Sequence, residues 1–242
     1  MEETVIKFNN VTKIYKLYKN KNLRLISLFT NKKRYKEKMA ISNLTFEVKK
    51  GEAVAILGKN GAGKSTIIKL ASEITYPTEG TIEVIGKKTT LLGTEIGLEP
   101  ELTGRENIYL KCTLLGIDEN EIKNIESQII EFAEIEEYID QPMKLYSSGM
   151  RARLGFAISV QVEPDILIID ETLSVGDEKF KNKCIKKINE IIKSNNTTLL
   201  LVTHSKETAM EFCNRGIVIE KGKKIFDGEI KEAINSYMET LK

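Results

Sequence analysis

Gly58-Lys59-Asn60-Gly61-Ala62-Gly63-Lys64-Ser65-Thr66 is the stretch whose residue types and spacing speak most directly of chemistry. It follows the apolar run Ala53-Val54-Ala55-Ile56-Leu57 and precedes Ile67-Ile68-Lys69-Leu70. The order is strand, glycine-rich loop and helix, with the spacing G-x-x-x-x-G-K-S. A loop of this kind wraps backbone N–H groups around a polyphosphate, and β-carbons would obstruct that approach, so glycines recur. The helix that begins near Lys64 turns the positive end of its dipole toward the same phosphates. Lys64 adds a mobile charge that reaches the β- and γ-phosphates of ATP, and the Ser65 hydroxyl is placed to hold Mg²⁺.

Other stretches carry groups that suit the same chemistry. Ile166-Leu167-Ile168-Ile169 is a continuous apolar run of the kind buried on both faces of a parallel sheet, and it ends in Asp170-Glu171. Open α/β sheets bind ligands at the carboxyl ends of such strands. There Asp170 can hold Mg²⁺, directly or through water, and Glu171 can polarise an attacking water. Residues 197–203 form a second buried strand, and His204, the single histidine of the chain, stands at its end in reach of a γ-phosphate or the attacking water. Tyr146-Ser147-Ser148-Gly149-Met150 leads into a helical pattern, so its helix N-terminus is another anion site, although a plain N-cap reads the same way. Tyr15 either packs or stacks on a base.

These groups need a frame. Residues 4–11 alternate as a strand, and residues 43–48 and 53–57 read as two strands joined by a turn at Gly51. Another strand, residues 81–84, follows the turn Pro77-Thr78-Glu79-Gly80. From about residue 93 to 156 the pattern is helical. Thr103 caps a helix that runs to Leu115 and ends at Gly116, and Asp118 opens a second with Ile122, Ile125 and Ile129 on one face. Residues 215–227 read as a hairpin around Lys221-Gly222-Lys223, followed by a helical tail. Residues 16–38 interleave lysines and arginines with Leu23, Leu25, Ile26, Leu28 and Phe29. They read either as a solvated loop with a short helix or as a basic amphipathic element near anionic lipid head groups.

Composition narrows the classes. A chain of 242 residues with 41% hydrophobic and 30% charged residues has ample material for a soluble globular core. A formal net charge of +2 is too small to argue for a nucleic-acid partner, so any basic effect must be local. Cys112, Cys184 and Cys213 are odd in number and far apart, which suits a reducing compartment and argues against a zinc site. No apolar run approaches the roughly 20 residues that cross a bilayer, so work at a membrane would require another chain to do the spanning.

Taken together, the motifs resemble the nucleotide-binding subunits of ABC transporters over essentially the whole chain. Gly58 to Ser65 match Walker A and Ile166 to Asp170 match Walker B, with Glu171 as the catalytic carboxylate. Ser147 and Gly149 keep two positions of the LSGGQ signature, while the first, third and last positions differ. Ser174-Val175-Gly176-Asp177 is similar to the D-loop, His204 to the H-loop and Tyr15 to the adenine-stacking A-loop. The Q-loop glutamine has no counterpart in residues 92–97, where Glu95 is the candidate substitute. Glu99 to Ile108, Tyr146 to Leu154 and Asp170 to Asp177 are similar to the branch that exports teichoic acid, capsular polysaccharide and O-antigen.

The resemblance implies an α/β P-loop NTPase with a RecA-like, mainly parallel sheet, an N-terminal antiparallel β subdomain and an inserted helical subdomain. It implies one ATPase domain over 1–242, with a core at about 1–92 and 157–242 and the helical insertion at about 93–156. The nucleotide contacts implied are Tyr15, Gly58, Lys59, Asn60, Gly61, Ala62, Gly63, Lys64, Ser65, Thr66, Ser147, Gly149 and Asp177. Ser65 and Asp170 would serve Mg²⁺, and Glu171 and His204 the hydrolysis. The implied partners are a separate integral membrane permease and a second copy of the chain, and the implied place is peripheral, on the cytoplasmic face of the cell membrane. A soluble ABC ATPase of translation or DNA maintenance and a P-loop kinase are the competing classes.

Overall fold

The computed structural model describes residues 3–19, 35–91, 96–161, 164–170, 177–194 and 196–241. In chain order the strands are β1 (Thr4–Leu17), β2 (Lys36–Lys49), β3 (Ala53–Leu57), β4 (Glu79–Val84), β5 (Lys88–Leu91), β6 (Ile166–Ile169), β7 (Thr198–Thr203), β8 (Arg215–Glu220) and β9 (Lys223–Glu229). The helices are α1 (Lys64–Ala71), α2 (Gly104–Leu114), α3 (Glu119–Ala133), α4 (Ser148–Ser159), α5 (Glu178–Ser194), α6 (Lys206–Phe212) and α7 (Ile230–Leu241). They fall into two compact units, one of Met1–Lys49, Val54–Ile85 and Val202–Lys242 and the other of Lys50–Ala53 and Gly86–Leu201.

In the first unit, β2, β1 and β4 form an antiparallel sheet in that order. Phe8 and Phe46 stack across it with centroids 4.5 Å apart, and Ile6, Val11, Leu44 and Val48 are buried beside them. Strand β1 runs six residues past the expected end at residue 11, and β2 begins well before residue 43. The cause is cross-strand pairing: Tyr15 faces Lys38, Lys16 faces Glu37 and Leu17 faces Lys36. The two ends of the basic stretch are therefore strand, not loop or helix. Its apolar residues Leu23, Leu25, Ile26, Leu28 and Phe29 lie outside the described residues.

The same unit holds β3, parallel to β8, which is antiparallel to β9. Val54 to Leu57 are all buried, as an apolar run without alternation requires. Helix α7 covers β8 with Ile230, Ala233, Ile234 and Tyr237, one stripe at helical spacing. Gly216 is small because Ala233 and Ile230 occupy the space a β-carbon would need.

The second unit holds β5, β6 and β7 in parallel, in that order. Every residue of β6 and β7 is buried. Strand β5 has no strong apolar run of its own, and pairing with β6 from Lys88–Ile166 to Leu91–Ile169 defines it. Helices α2, α3 and α4 enclose a core that includes Ile108, Ile122, Ile129, Leu154 and Ile158. Their starts are locally encoded. Thr103 and Glu106 form a reciprocal capping box, and Asp118 accepts from Asn120 and Glu121 N–H. Among the described residues, no helix is long and apolar enough to cross a membrane.

Candidate functional site

In the first unit β3 delivers the chain into the glycine-rich loop. A β-carbon on Gly58 would run into the carbonyl oxygen of Ile219 in β8, so the loop leaves the sheet through a gap that only glycine fits. Within the loop the Ala62 N–H donates to Lys59 O at 3.0 Å. The Ala62 carbonyl in turn accepts from Gly222 N–H at 2.8 Å, which braces the loop against the β8–β9 turn. That turn is the pair Lys221-Gly222, both at positive φ, as a tight two-residue hairpin requires. The sequence reading identified the hairpin and missed the brace; the signal lay in the Lys-Gly turn, but the contact is far off in sequence.

Gly63 precedes α1 at φ 113°, where a β-carbon would lie 2.7 Å from Ala40 O and 2.6 Å from Ile41 Cδ1. Gly61, at φ 81°, has nothing within 4 Å. One glycine is demanded by packing and the other by backbone conformation alone. Helix α1 starts without a side-chain cap and without an acidic residue in its first turn, so the positive end of its dipole is not offset locally. Lys64 is only 6% exposed; its Nζ donates to Gly58 O at 2.5 Å and to Lys59 O at 3.2 Å. The loop carbonyls thus keep the ammonium against the loop. Lys59, Asn60, Gly61 and Ser65 are exposed, while Ala62 and Thr66 are buried.

Tyr15 is half-buried on β1, with Lys13 Nζ 5.3 Å from its ring centroid. It lines an open groove of about 660 Å³ with Lys16, Tyr18, Glu37 and Thr78. His204 is exposed in the turn between β7 and α6. That turn is fixed on both sides: Ser205 N–H donates to Thr203 Oγ1 at 3.0 Å, and Ser205 Oγ caps α6 by accepting from Thr208 N–H.

In the second unit Asp170 follows β6 directly and is half-buried. Glu171, Ser174, Val175 and Gly176 lie outside the described residues, as does Glu95. Ser147 is the N-cap of α4, its Oγ accepting from Met150 N–H at 3.2 Å, and the first turn holds no acid. Among the described residues, a β-carbon on Gly149 would meet only Ser147 Oγ, at 3.8 Å, so none of them demands glycine there. Tyr146, at the first signature position, is buried and donates its hydroxyl to Tyr138 O at 2.6 Å. Burial pushes that phenol up to about 12. The hydroxyl fills the space a side chain on Gly104 would take, so tyrosine and Gly104 are a matched pair.

Asp177 caps α5: its carboxylate accepts from Phe180 N–H at 2.9 Å and from Arg153 Nη2 at 2.7 Å. The Phe180 N–H, with Arg153 adding to it, holds the carboxyl below the usual aspartate range. Arg153 also reaches Glu134 at 3.3 Å and lies over the Phe180 ring, 4.8 Å from its centroid. The signature helix α4 is thereby tied to the start of α5 and the end of α3, a link that spacing alone did not reveal.

Among the described residues, no group of three or more His, Cys, Asp or Glu side chains could hold a metal ion. Ser65 and Asp170 offer hard oxygen atoms, a hydroxyl on the first turn of α1 and a carboxylate at a strand end, which is the donor type Mg²⁺ takes.

Residues 41–174 match the family model described as ABC transporter. The chain is 44% identical over 237 residues to the teichoic acids export ATP-binding protein TagH of Bacillus cereus, covering 98% of this chain and 43% of that protein. It spans less than half the length of that relative. To the O-antigen export system ATP-binding protein RfbB of Klebsiella pneumoniae it is 44% identical over 245 residues, 99% of both chains. A dimeric ATP-binding cassette solved in a post-hydrolysis state with ADP and Pi superposes with a TM-score of 0.75 at 22% identity, over 93% of this chain and 98% of that one. At that identity the likeness speaks for the fold, an ATP-binding cassette, in agreement with the mixed α/β sheet, the antiparallel β sheet and the helices described above. From the matched motifs and the end-to-end similarity, this chain belongs to the ABC transporter family.

Proposed function

We propose that the chain is the ATP-hydrolysing subunit of an exporter that drives a separate membrane permease to move a lipid-linked polysaccharide, teichoic acid first, across the cytoplasmic membrane. It would work as one ATPase domain on the cytoplasmic face of the membrane, with no nucleic-acid partner. The observation that carries the reading is the start of α1, left without side-chain cap or acid behind a left-handed Gly63, with Lys64 held against the loop. Such a terminus stabilises an anion, and the loop spacing suits a triphosphate. An O-antigen or capsule polymer is the second reading, supported by the equal 44% identity to the Klebsiella protein.

Lys64 holds the β- and γ-phosphates, and Tyr15 stacks on the adenine. Glu171 orients water for in-line attack, and His204 steadies the γ-phosphate. Ser65 and Asp170 are the residues that would hold Mg²⁺, which when bound neutralises charge on the phosphates. Ser147 and Gly149 complete the enclosure from a second copy, and the space over Gly149, which no described residue but Ser147 approaches, supports that role. Asp177 joins them as the end of the D-loop.

Two variants test this. Lys64→Ala should abolish ATP binding by calorimetry, and unchanged binding would contradict the phosphate-loop reading. Glu171→Gln should bind ATP, stop hydrolysing it and accumulate as a dimer in light scattering; hydrolysis at the parental rate would mean that Glu171 is assigned wrongly. Copurification with an integral membrane protein separates an exporter from a soluble ATPase, and complementation with each polymer system identifies the cargo.

A further inference from the structure

A second binding feature lies wholly within the second unit and shares no residue with the proposed ATPase cycle. Between α3 and α5 is a groove of about 370 Å³, at the lower end of the range for small-molecule sites. Its floor is Phe132, half-buried and packed against Phe156 and Phe180. Gln128 comes from α3, Gln161 from the segment after α4, and Lys183, Lys186 and Lys187 from one face of α5.

The three lysines are not equivalent. Lys183 is engaged: its Nζ donates to Phe132 O at 2.9 Å and pairs with Glu134 at 3.1 Å, and it lies 4.8 Å from the Phe132 ring centroid. It locks the end of α3 to α5. Lys186 and Lys187, the next turn of the same face, make no ion pair with any described residue. The amides of Gln128 and Gln161 likewise make no hydrogen bond with a described residue. Two ammonium groups and two amides therefore converge on one groove with donors to offer. The wider helix favours anions as well, since α5 carries Lys179, Lys181, Lys183, Lys186, Lys187 and Lys193 against Glu178 and Glu190.

The rim decides which anion. Glu131 and Glu190 also line the groove, so an extended polyanion such as nucleic acid would meet carboxylates on either helix. A compact ligand can satisfy both signs if it carries a phosphate for the lysine pair and hydroxyls for the Glu131 carboxylate and the glutamine amides. The C–H face of such a ligand would rest on the aromatic floor. We propose that this groove binds a small phosphorylated sugar or polyol. The site is independent of ATP and would report a carbohydrate phosphate to the joint between α3 and α5.

Glucose 6-phosphate is a suitable probe, with glucose and inorganic phosphate as separate arms, in physiological salt and saturating ATP. Amide chemical-shift mapping on the whole chain should show saturable changes at Gln128, Phe132, Gln161 and residues 183–190. Each separate arm should bind at least tenfold more weakly than the joined molecule. The double charge reversal Lys186→Glu and Lys187→Glu should weaken glucose 6-phosphate at least tenfold while leaving ATP hydrolysis and the unfolding midpoint unchanged. The milder pair Lys186→Gln and Lys187→Gln, which keeps the helix less perturbed, should show an intermediate loss. Equal binding by inorganic phosphate alone, shifts confined to residues 58–66, unchanged affinity in both doubles, or no binding at all would overturn the proposal.

Discussion

Under the proposed function, two helix starts in this molecule serve the same class of ligand by different means. At α1 the work is done by backbone: Gly58 and Gly63 each sit where a β-carbon would strike a neighbouring chain, and the Gly222 N–H braces the loop through Ala62 O. No side chain caps that helix. At α4 the side chains do it: the Ser147 hydroxyl accepts from Met150 N–H, and Arg153 anchors the helix to Asp177 and Glu134. A helix start with no internal cap has its full dipole end available to an incoming anion; one already capped by a hydroxyl offers less. The first can grip a phosphate by itself. The second is suited to join a phosphate that something else delivers, which fits a composite site completed by a second copy.

The two glycines of the phosphate loop give the largest expected contrast. Gly63→Ala forces a β-carbon against Ala40 O and Ile41 in a left-handed backbone, so α1 must shift. ATP affinity should fall by on the order of 100-fold or more, the equivalent of about 3 kcal/mol. Gly61→Ala meets no atom within 4 Å and carries only the left-handed penalty, about 1–2 kcal/mol. A fluorescent-nucleotide titration measures both. Equal losses would show that the packing of Gly63 plays no part in the grip.

The helical side has its own buried charge. Lys111 on α2 is 7% exposed and donates to Gly155 O, in the middle of α4, at 3.1 Å. Burial pulls its ammonium from 10.5 down to about 8. Below pH 8 the lysine is charged in both folded and unfolded chains, and the cost of burying the charge is constant. Above pH 8 the folded chain sheds a proton that the unfolded chain keeps until about 10.5, so the unfolded state binds more protons and stability rises with pH. Lys111→Met removes this contribution. Between pH 8 and 9.5 the parental chain should gain about 1.5 kcal/mol on the variant in urea unfolding under reducing conditions. Burial pushes the Cys184 and Cys213 thiols up to about 12 and Cys112, beside Lys111, up to about 11; all three stay protonated in the folded chain below pH 9.5, so their loss of stability above pH 9 is common to both chains and drops out of the difference. A flat difference would mean that Lys111 is not the buried charge it is taken for.

Smaller still is the tie between α4 and α5. Arg153→Met removes the guanidinium from over the Phe180 ring together with the links to Asp177 and Glu134, of which Asp177 is largely exposed. The expected result is a small but resolvable drop in the urea midpoint, because solvent screens both pairs. Lys123→Met, which breaks the exposed pair with Glu119 at 2.8 Å, should leave the urea midpoint indistinguishable from the parental one. If Lys123→Met proved as damaging as Arg153→Met, the tie would have no special weight.

What was legible in the sequence follows the same divide. The strand, glycine-rich loop and helix at residues 53–71 could be read from the chain because the motif fixes residue type and spacing within nine consecutive positions. The caps at Thr103 and Asp118 were legible for the same local reason. The brace from Gly222, the fit of Tyr146 over Gly104 and the Arg153–Asp177 link were not, because each joins residues far apart whose individual types are ordinary. Helix α5 was passed over although Phe180, Cys184, Ile188 and Ile191 are buried at helical intervals, since six lysines break up its apolar pattern. The far end of strand β1 is not legible because its residues after Thr12 are only partly buried or exposed and include Lys13 and Lys16; pairing with β2 and not hydrophobicity holds it.

The most discriminating test concerns Ser147, which the geometry suits both as a structural cap and as a phosphate ligand. Ser147→Ala removes the acceptor for Met150 N–H and should destabilise the second unit by about 1 kcal/mol. Ser147→Asp keeps an N-cap acceptor, and its charge suits the helix dipole, so stability should return to the parental level. The same charge repels a phosphate. If Ser147 serves only as a cap, Ser147→Asp should hydrolyse ATP normally and Ser147→Ala slightly less well. If α4 receives the γ-phosphate of a nucleotide held by another copy, Ser147→Asp should lose at least tenfold in turnover despite its restored stability. ATP affinity of the single chain should be unchanged in both variants, since the α1 loop binds without help from α4. Stability and turnover then move in opposite directions in one variant, an outcome that a cap alone does not produce.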